Sequence, residues 1–256
     1  MIAEPILVTT EDGVATILLN APERRNALSE HMLVALADAL DEVAGDLSVR
    51  AVLIGGVGPT LCAGHDLAEI RTAQDATPAD QRAYFADLFT RTANLMVRIA
   101  TLHQPVVVLA HGRTEAAGLQ LVASGDLALA APSTEFRLED RATGYFGAAP
   151  LAALLPSVPP KVTSAMMYRR APMTASEAVG FGVVNAVVPE ERLLAEGIAL
   201  AAGLRTPSCT IGKPTIFELS SASLEAAYKA AAAEIADALS RPEARDALDR
   251  ALAETP

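Results

Sequence analysis

Apolar residues along this chain follow two rhythms. Three unbroken runs, ATILLN (15–20), AVLIGG (51–56) and PVVVLAHG (105–112), are rich in Val, Ile and Leu and end in turn residues, which predicts buried strands. Between the first two, Leu33, Leu36, Ala37, Leu40 and Val43 recur at helical spacing, with Ser29 placed to cap the helix. Strand, helix, strand is a βαβ unit and implies a parallel sheet. A longer helix is predicted from Thr77, where a capping Thr is followed by Pro78 at the first helical position and Asp80 three residues on. Its apolar positions, Tyr84, Leu88, Leu95, Val97 and Ile99, carry it to about Leu102. After the third strand a short helix is predicted from Ala116, then strands at LALAAP (127–132) and around Phe136.

Near residue 160 strand signals thin out. Thr174 to Glu177 spells a capping box that ends at Gly180 and Gly182, and VNAVVP (184–189) is a short extended segment. The stretches 190–203, 222–240 and 242–254 are alanine-rich and predict helices. The pattern therefore reads as an α/β core over residues 1–190 and a helical C-terminal region over 191–256.

The 256 residues are 51% hydrophobic and 20% charged, enough apolar material for a sizeable core. The net charge of −11, from 31 acids against 20 bases, argues against a nucleic-acid partner, which needs a basic face. A small anionic ligand held by a few cations and main-chain N–H groups stays open. Cys62 and Cys209 match no metal spacing, and no metal is expected. The N-terminal residues lack a basic signal-peptide region and no apolar run reaches membrane-spanning length, so the expectation is a cytoplasmic protein without a membrane span.

Two stretches carry candidate chemistry. GPTLCAGHDLAEI (58–70) places Gly64 in a turn after a strand, and EAAGLQLVASGD (115–126) places small residues at a helix start after another. Ligands bind at such strand ends in open α/β sheets, and a helix start leaves N–H groups free. Two such turns aim two donors at one oxygen, the geometry of an oxyanion hole. A nicotinamide-binding reading fails because no G-x-G-x-x-G follows the first strand.

Taken in order, LNAPERRNALS (19–29), LCAGHDL (61–67), QPVVVLAHG (104–112), AAGLQLVASGDLALA (116–130), TASEAVGFGVVNAVVP (174–189) and Lys213 resemble the crotonase, or enoyl-CoA hydratase/isomerase, superfamily over nearly the whole chain. AGHDL and AAGxQLVAS look most like the enoyl-CoA hydratase domain-containing 3 subgroup. The resemblance implies a spiral of ββα units followed by a helical trimerisation region, a homotrimer or hexamer, and an acyl-CoA thioester as ligand. No separate cofactor is implied, because coenzyme A is part of the substrate. The oxyanion-hole donors implied are the N–H groups of His65 and Ala117. For coenzyme A, the resemblance points to Arg24 or Arg25 and to Lys213 for the phosphates, and to the backbone near Ala63 for adenine.

The pattern departs from the family at its acids. Where hydratases carry the first catalytic glutamate stands Gln120, an amide that orients water but accepts no proton at neutral pH. The second acid position falls on Asp140, with Glu139 beside it where proline is usual. Aspartate is one methylene shorter, and a displacement of roughly 1 Å costs about a hundredfold. Glu115 is a third acid, read as a solvated charge at a helix start more readily than as a pocket residue. Tyr145 and Phe146 are either acyl-pocket walls or core aromatics. The loss of one acid favours a single-carboxylate reaction, such as shifting a double bond along an acyl chain, over efficient hydration. The alternative is an acyl-CoA binder without turnover.

Overall fold

The computed structural model of the chain describes residues 4–138, 148–156, 158–169 and 171–206, together with positions 209, 213, 216, 232, 236, 245 and 249. Of the predicted helices 222–240 and 242–254, only positions 232, 236, 245 and 249 are among the described residues, and these four are helical.

The elements follow one another as β1 (Ile6–Glu11), β2 (Val14–Leu19), α1 (Glu30–Gly45), β3 (Ala51–Gly56), α2 (Leu67–Ala73), α3 (Pro78–Thr101), β4 (Val106–Ala110), β5 (Arg113–Glu115), α4 (Ala117–Ser124), β6 (Leu127–Ala130), β7 (Glu135–Arg137), α5 (Ala148–Leu154), α6 (Pro160–Arg169), β8 (Met173–Thr174), α7 (Ala175–Gly180), β9 (Ala186–Val187) and α8 (Leu193–Gly203). The strands form a six-stranded sheet ordered β1-β2-β3-β4-β6-β9 and a three-stranded sheet ordered β5-β7-β8. Successive turns of the spiral are visible in this order. β4 lies in the large sheet, β5 in the small one, and helix α4 follows; then β6 and β7 repeat the alternation. All pairings in the large sheet are parallel except β1 with β2.

The unbroken apolar runs are explained by burial on both faces of the large sheet. One face of β3 and β4 (Val52, Ile54, Val106, Val108) packs with Leu36 and Leu40 of α1 and Phe85, Leu88 and Ile99 of α3 in one apolar cluster. The alternate residues (Ala51, Leu53, Val107, Leu109) pack on the other face with Leu193 and Ala201 of α8. Helix starts follow the capping signals. Ser29 accepts from the Met32 N–H, Thr77 from Asp80, and Thr174 and Glu177 form a reciprocal capping box. Among the described residues no helix is long and apolar enough to cross a membrane.

Candidate active site

The turn after β3 is built against the loop that follows β2. Asn26, fully buried and left-handed (φ 52°), donates through Nδ2 to the carbonyls of Val57 (2.9 Å) and Thr60 (2.8 Å) and accepts from the Ala21 N–H. Ala63 N–H donates to the Arg25 carbonyl, Leu28 N–H to Gly64, and Asp66 N–H to Leu28. This last pair brackets His65 in a parallel bridge. Such a bridge uses the groups of the residues on either side, so the N–H of His65 itself points away and is left for another acceptor. Gly64 makes this possible with φ +92°, a conformation glycine adopts without strain.

The second turn lies directly against the first. A Cβ on Gly64 would stand 3.1 Å from the Ala116 Cβ and 3.9 Å from the Ala117 nitrogen. A Cβ on Gly118 would run into the Cys62 carbonyl. The small residues of both stretches are therefore required by the approach of one turn to the other. Ala117 opens α4, so its N–H is one of those a helix cannot satisfy internally. Ala116 before it has φ 47° and ψ −108°, the corner of a type II′ turn that glycine usually fills. In alanine this conformation costs roughly 1–3 kcal/mol. Of the two alanines at the start of α4, Ala116 rather than Ala117 bears the strain. The N–H groups of His65 and Ala117, without a partner among the described residues, thus belong to two turns packed against each other.

Gln120 stands one helical turn beyond Ala117 on the same face of α4. Helical side chains lean toward the preceding turn, so that of Gln120 leans toward the N-terminal end of α4. The side chain is 2% exposed, and its Oε1 has no hydrogen-bond partner among the described residues. His65 is also buried, with its Nε2 2.8 Å from the Thr92 hydroxyl. That hydroxyl spends its hydrogen on the Leu88 carbonyl, so Nε2 carries the ring proton and donates. Burial pulls the imidazole pKa down to about 4, keeping it neutral. The Cys62 thiol is pushed up to about 12, chiefly by burial and also by the charge of Glu115, and it serves as a small apolar filler.

Several expectations change here. Glu115 is not solvated. Its carboxylate is 2% exposed and takes the Arg113 guanidinium on Oε1 at 2.7 and 3.1 Å, with Arg137 Nε 3.5 Å away. Lys213 is not free to reach a phosphate. It is buried and lies 3.0 Å from the Ile99 carbonyl, 3.1 Å from the Gln104 carbonyl and 2.8 Å from Asp126. These three partners match its three N–H donors, so it ties its segment to the end of α3 and the start of β4. Burial lowers its pKa, opposed by Asp126. Arg24 pairs with Asp66, the side chain that caps α2, while remaining half-exposed. Arg25, with φ 53°, lends its carbonyl to Ala63. Arg24, Arg25 and Ala63 are thus gathered beside the first turn, and Lys213 is held elsewhere. Asp140, Glu139, Tyr145 and Phe146 lie outside the described residues. The role of Asn26 was not foreseen. The available signal was an asparagine after a turn, a residue that tolerates left-handed backbone.

A groove of about 630 Å³ runs between α2 and the first turns of α1 and α3, lined among others by Glu30, Glu69, Ala73, Ala76, Asp80 and Tyr84. Its carboxylates make it a poor cradle for phosphates. Among the described residues no cluster of three or more His, Cys, Asp or Glu side chains is placed to hold a metal ion.

Known proteins resemble this chain over nearly its whole length. The pattern of the enoyl-CoA hydratase/isomerase family matches residues 9–252. The mitochondrial enoyl-CoA hydratase domain-containing protein 3 of Mus musculus is 33% identical over 252 residues, covering 96% of this chain and 82% of the mouse protein. Among solved structures, an enoyl-CoA hydratase of Mycobacterium smegmatis is 35% identical, with a TM-score of 0.79 and coverage of 98% of this chain and 96% of that one. Human enoyl coenzyme A hydratase domain-containing protein 3 is 30% identical, with a TM-score of 0.78 and coverage of 98% of both chains. The expectation of a cytoplasmic protein is overturned by these relatives, whose mouse member is named as mitochondrial. With the family pattern spanning nearly the whole chain, the protein belongs to the enoyl-CoA hydratase/isomerase family.

Proposed function

We propose that this protein binds an acyl-CoA thioester and polarises its carbonyl between the N–H groups of His65 and Ala117, with isomerisation favoured over hydration. The observation that carries the reading is the apposition of the two turns, Gly64 against Ala116 and Ala117, with both N–H groups unspent by their own elements. Negative charge collecting on the thioester oxygen would be met by two fixed dipoles in a buried setting. That polarisation acidifies the carbon next to the carbonyl. One carboxylate then suffices to lift a proton there and return it further along the chain, which moves a double bond. Asp140, with Glu139 beside it, is assigned this role.

Gln120 supports the second half of the reading. Hydration needs an acid and a base working together, and an amide at this position supplies neither. Its buried, unpaired oxygen instead orients water or a substrate group. Arg25 and the exposed part of Arg24 are assigned to the phosphates of coenzyme A, with adenine against the backbone at Ala63. Assembly as a trimer, or a dimer of trimers, with contacts from the C-terminal region belongs to the same proposal.

The test compares crotonyl-CoA hydration with 3-enoyl-CoA isomerisation, in the parent and in Asp140→Asn. Isomerisation faster than hydration, and abolished by the substitution, supports the reading. Fast hydration that survives Asp140→Asn refutes the assignment. Thioester binding by calorimetry without turnover of either substrate identifies instead an acyl-CoA binder, the reading that the loss of the acid at Gln120 favours as second.

A further inference from the structure

The small sheet presents a charged face that the proposed chemistry does not use. β5 and β7 run parallel, with Arg113 opposite Glu135 and Glu115 opposite Arg137. Side chains two apart on a strand share a face, so these four form a checkerboard of alternating sign. The face sinks into the protein toward the C-terminal ends of the strands. Arg113 and Glu135 are half-exposed, Arg137 is mostly covered, and Glu115 is buried. The strand end where Glu115 lies is the end that continues directly into Ala116 and Ala117.

The strained turn at Ala116 has to be held by its surroundings, since alanine gains nothing from this conformation by itself. Three fastenings meet there. Glu115 N–H donates to the Cys62 carbonyl at 3.1 Å, and Ala116 N–H donates to the Arg137 carbonyl at 3.0 Å. The third is the carboxylate of Glu115, gripped by Arg113 and facing Arg137. Arg137 therefore holds the turn twice, by its carbonyl at Ala116 and by its guanidinium at Glu115. Cys62, whose carbonyl accepts from Glu115, belongs to the opposite turn, so the fastening also joins the two halves of the site.

We propose that Glu115 is a positioning residue: its buried ion pairs with Arg113 and Arg137 hold Ala116 in the left-handed turn and so set the aim of the Ala117 N–H. This rests on the thioester reading given above. Hydrogen-bond donors polarise a carbonyl only when they point at it, and small displacements are costly. A carboxylate that fixes the preceding residue acts on the reaction without touching the substrate.

The test reads carbonyl polarisation directly, so it does not depend on turnover. A conjugated aryl-enoyl-CoA absorbs further to the red as its thioester carbonyl is polarised, and its spectrum is recorded on the full-length parent, Glu115→Gln, Arg113→Ala and Glu115→Gln/Ala116→Gly. The expected result is a red shift in the parent that shrinks by about half in Glu115→Gln. In parallel, kcat for isomerisation drops about tenfold with KM nearly unchanged, short of the ~10²–10³-fold loss from deleting a donor. Arg113→Ala gives a smaller change in the same sense, and Ala116→Gly recovers part of the shift because glycine holds the turn unaided. A full red shift in folded Glu115→Gln, with only its melting temperature lowered, overturns the positioning role. Should Glu115→Gln not fold, an unaltered shift in Arg113→Ala overturns it equally. No red shift in the parent removes the thioester reading, and the positioning role goes with it.

Discussion

The turn at 62–66 and the turn at 115–118 each leave one main-chain N–H unspent, yet they are built differently. The first is relaxed: its left-handed residue is Gly64, and its pairing with Leu28 is regular. The second carries alanine at φ 47° and is held from outside by Arg137, Cys62 and the buried carboxylate of Glu115. Glycine takes the left-handed conformation without strain, so the contacts of the first turn with the loop after β2 position it but need not force its shape, whereas alanine has to be held there by its neighbours. The proposed oxygen site therefore rests on an unstrained left-handed residue on one side and on a strained, externally held one on the other. Four substitutions, from the largest effect to the smallest, break or sharpen that contrast.

Gly118→Ala is expected to break both turns at once. Its new methyl group would meet the Cys62 carbonyl, a backbone atom that has no rotamer to escape into. Overpacking of this kind costs roughly 1–3 kcal/mol, and here it also forces the two N–H groups apart. Urea denaturation should show the loss of stability, and the aryl-enoyl thioester should bind without its red shift. A variant that keeps the full shift would mean the turns need not touch.

Gln120→Glu sharpens the contrast by supplying the acid that the second turn lacks. Positioned acid–base groups contribute about 10²–10⁴-fold, so crotonyl-CoA hydration should rise by about 10²-fold. The rate should also gain a limb that increases with pH as the new carboxyl ionises. An unchanged hydration rate with normal thioester binding would show that the amide at Gln120 is not what limits this reaction.

His65 tests how the first turn is anchored. Its pKa in the folded protein is about 4, against an ordinary value near 6.5. The unfolded chain therefore takes up the proton first as pH falls. Stability from the neutral ring is complete above about pH 6.5 and is lost as pH drops toward 4, at about 1.4 kcal/mol per pH unit. Between pH 6.5 and 5 this amounts to about 2 kcal/mol. His111, also lowered by burial, adds its own share. His65→Gln, which keeps a donor for Thr92, should flatten the pH dependence of the urea midpoint by about one proton. An unchanged slope would mean that the ring is protonated inside the fold.

How much of this was legible along the chain depends on which contacts a residue needs. β2, β3 and β4 were readable because burial on both faces leaves unbroken apolar runs, and the caps at Ser29, Thr77 and Thr174 because capping is local. β5 was not, since Arg113, Thr114 and Glu115 are three residues without an apolar rhythm, and the buried carboxylate of Glu115 is compensated by Arg113 two residues back and by Arg137 on another strand. Lys213 misled for the same reason: its partners, Ile99, Gln104 and Asp126, lie far away in sequence. The family resemblance implied the two N–H groups, but it did not imply the position of the strain. Ala116, Ala117 and Gly118 are all small, and only the packed backbone tells which of them turns left-handed.

Ala116→Gly addresses that last point and carries the smallest effect. Glycine relieves the strained turn, worth roughly 1–3 kcal/mol, but it also loosens the unfolded chain, which costs about 0.4–1 kcal/mol. The balance is a stabilisation of about 1 kcal/mol, visible as a rise of a few degrees in Tm by calorimetry. In the parent background the thioester red shift should stay the same, because Glu115 still holds the turn. The informative quantity is the coupling between the two sites. Glu115→Gln should lower Tm and red shift strongly with alanine at 116 and weakly with glycine there, so the two substitutions should be far from additive. Additive effects would mean that the carboxylate and the turn are independent, and the contrast between a self-supporting and a supported turn would then reduce to a difference in residue type alone.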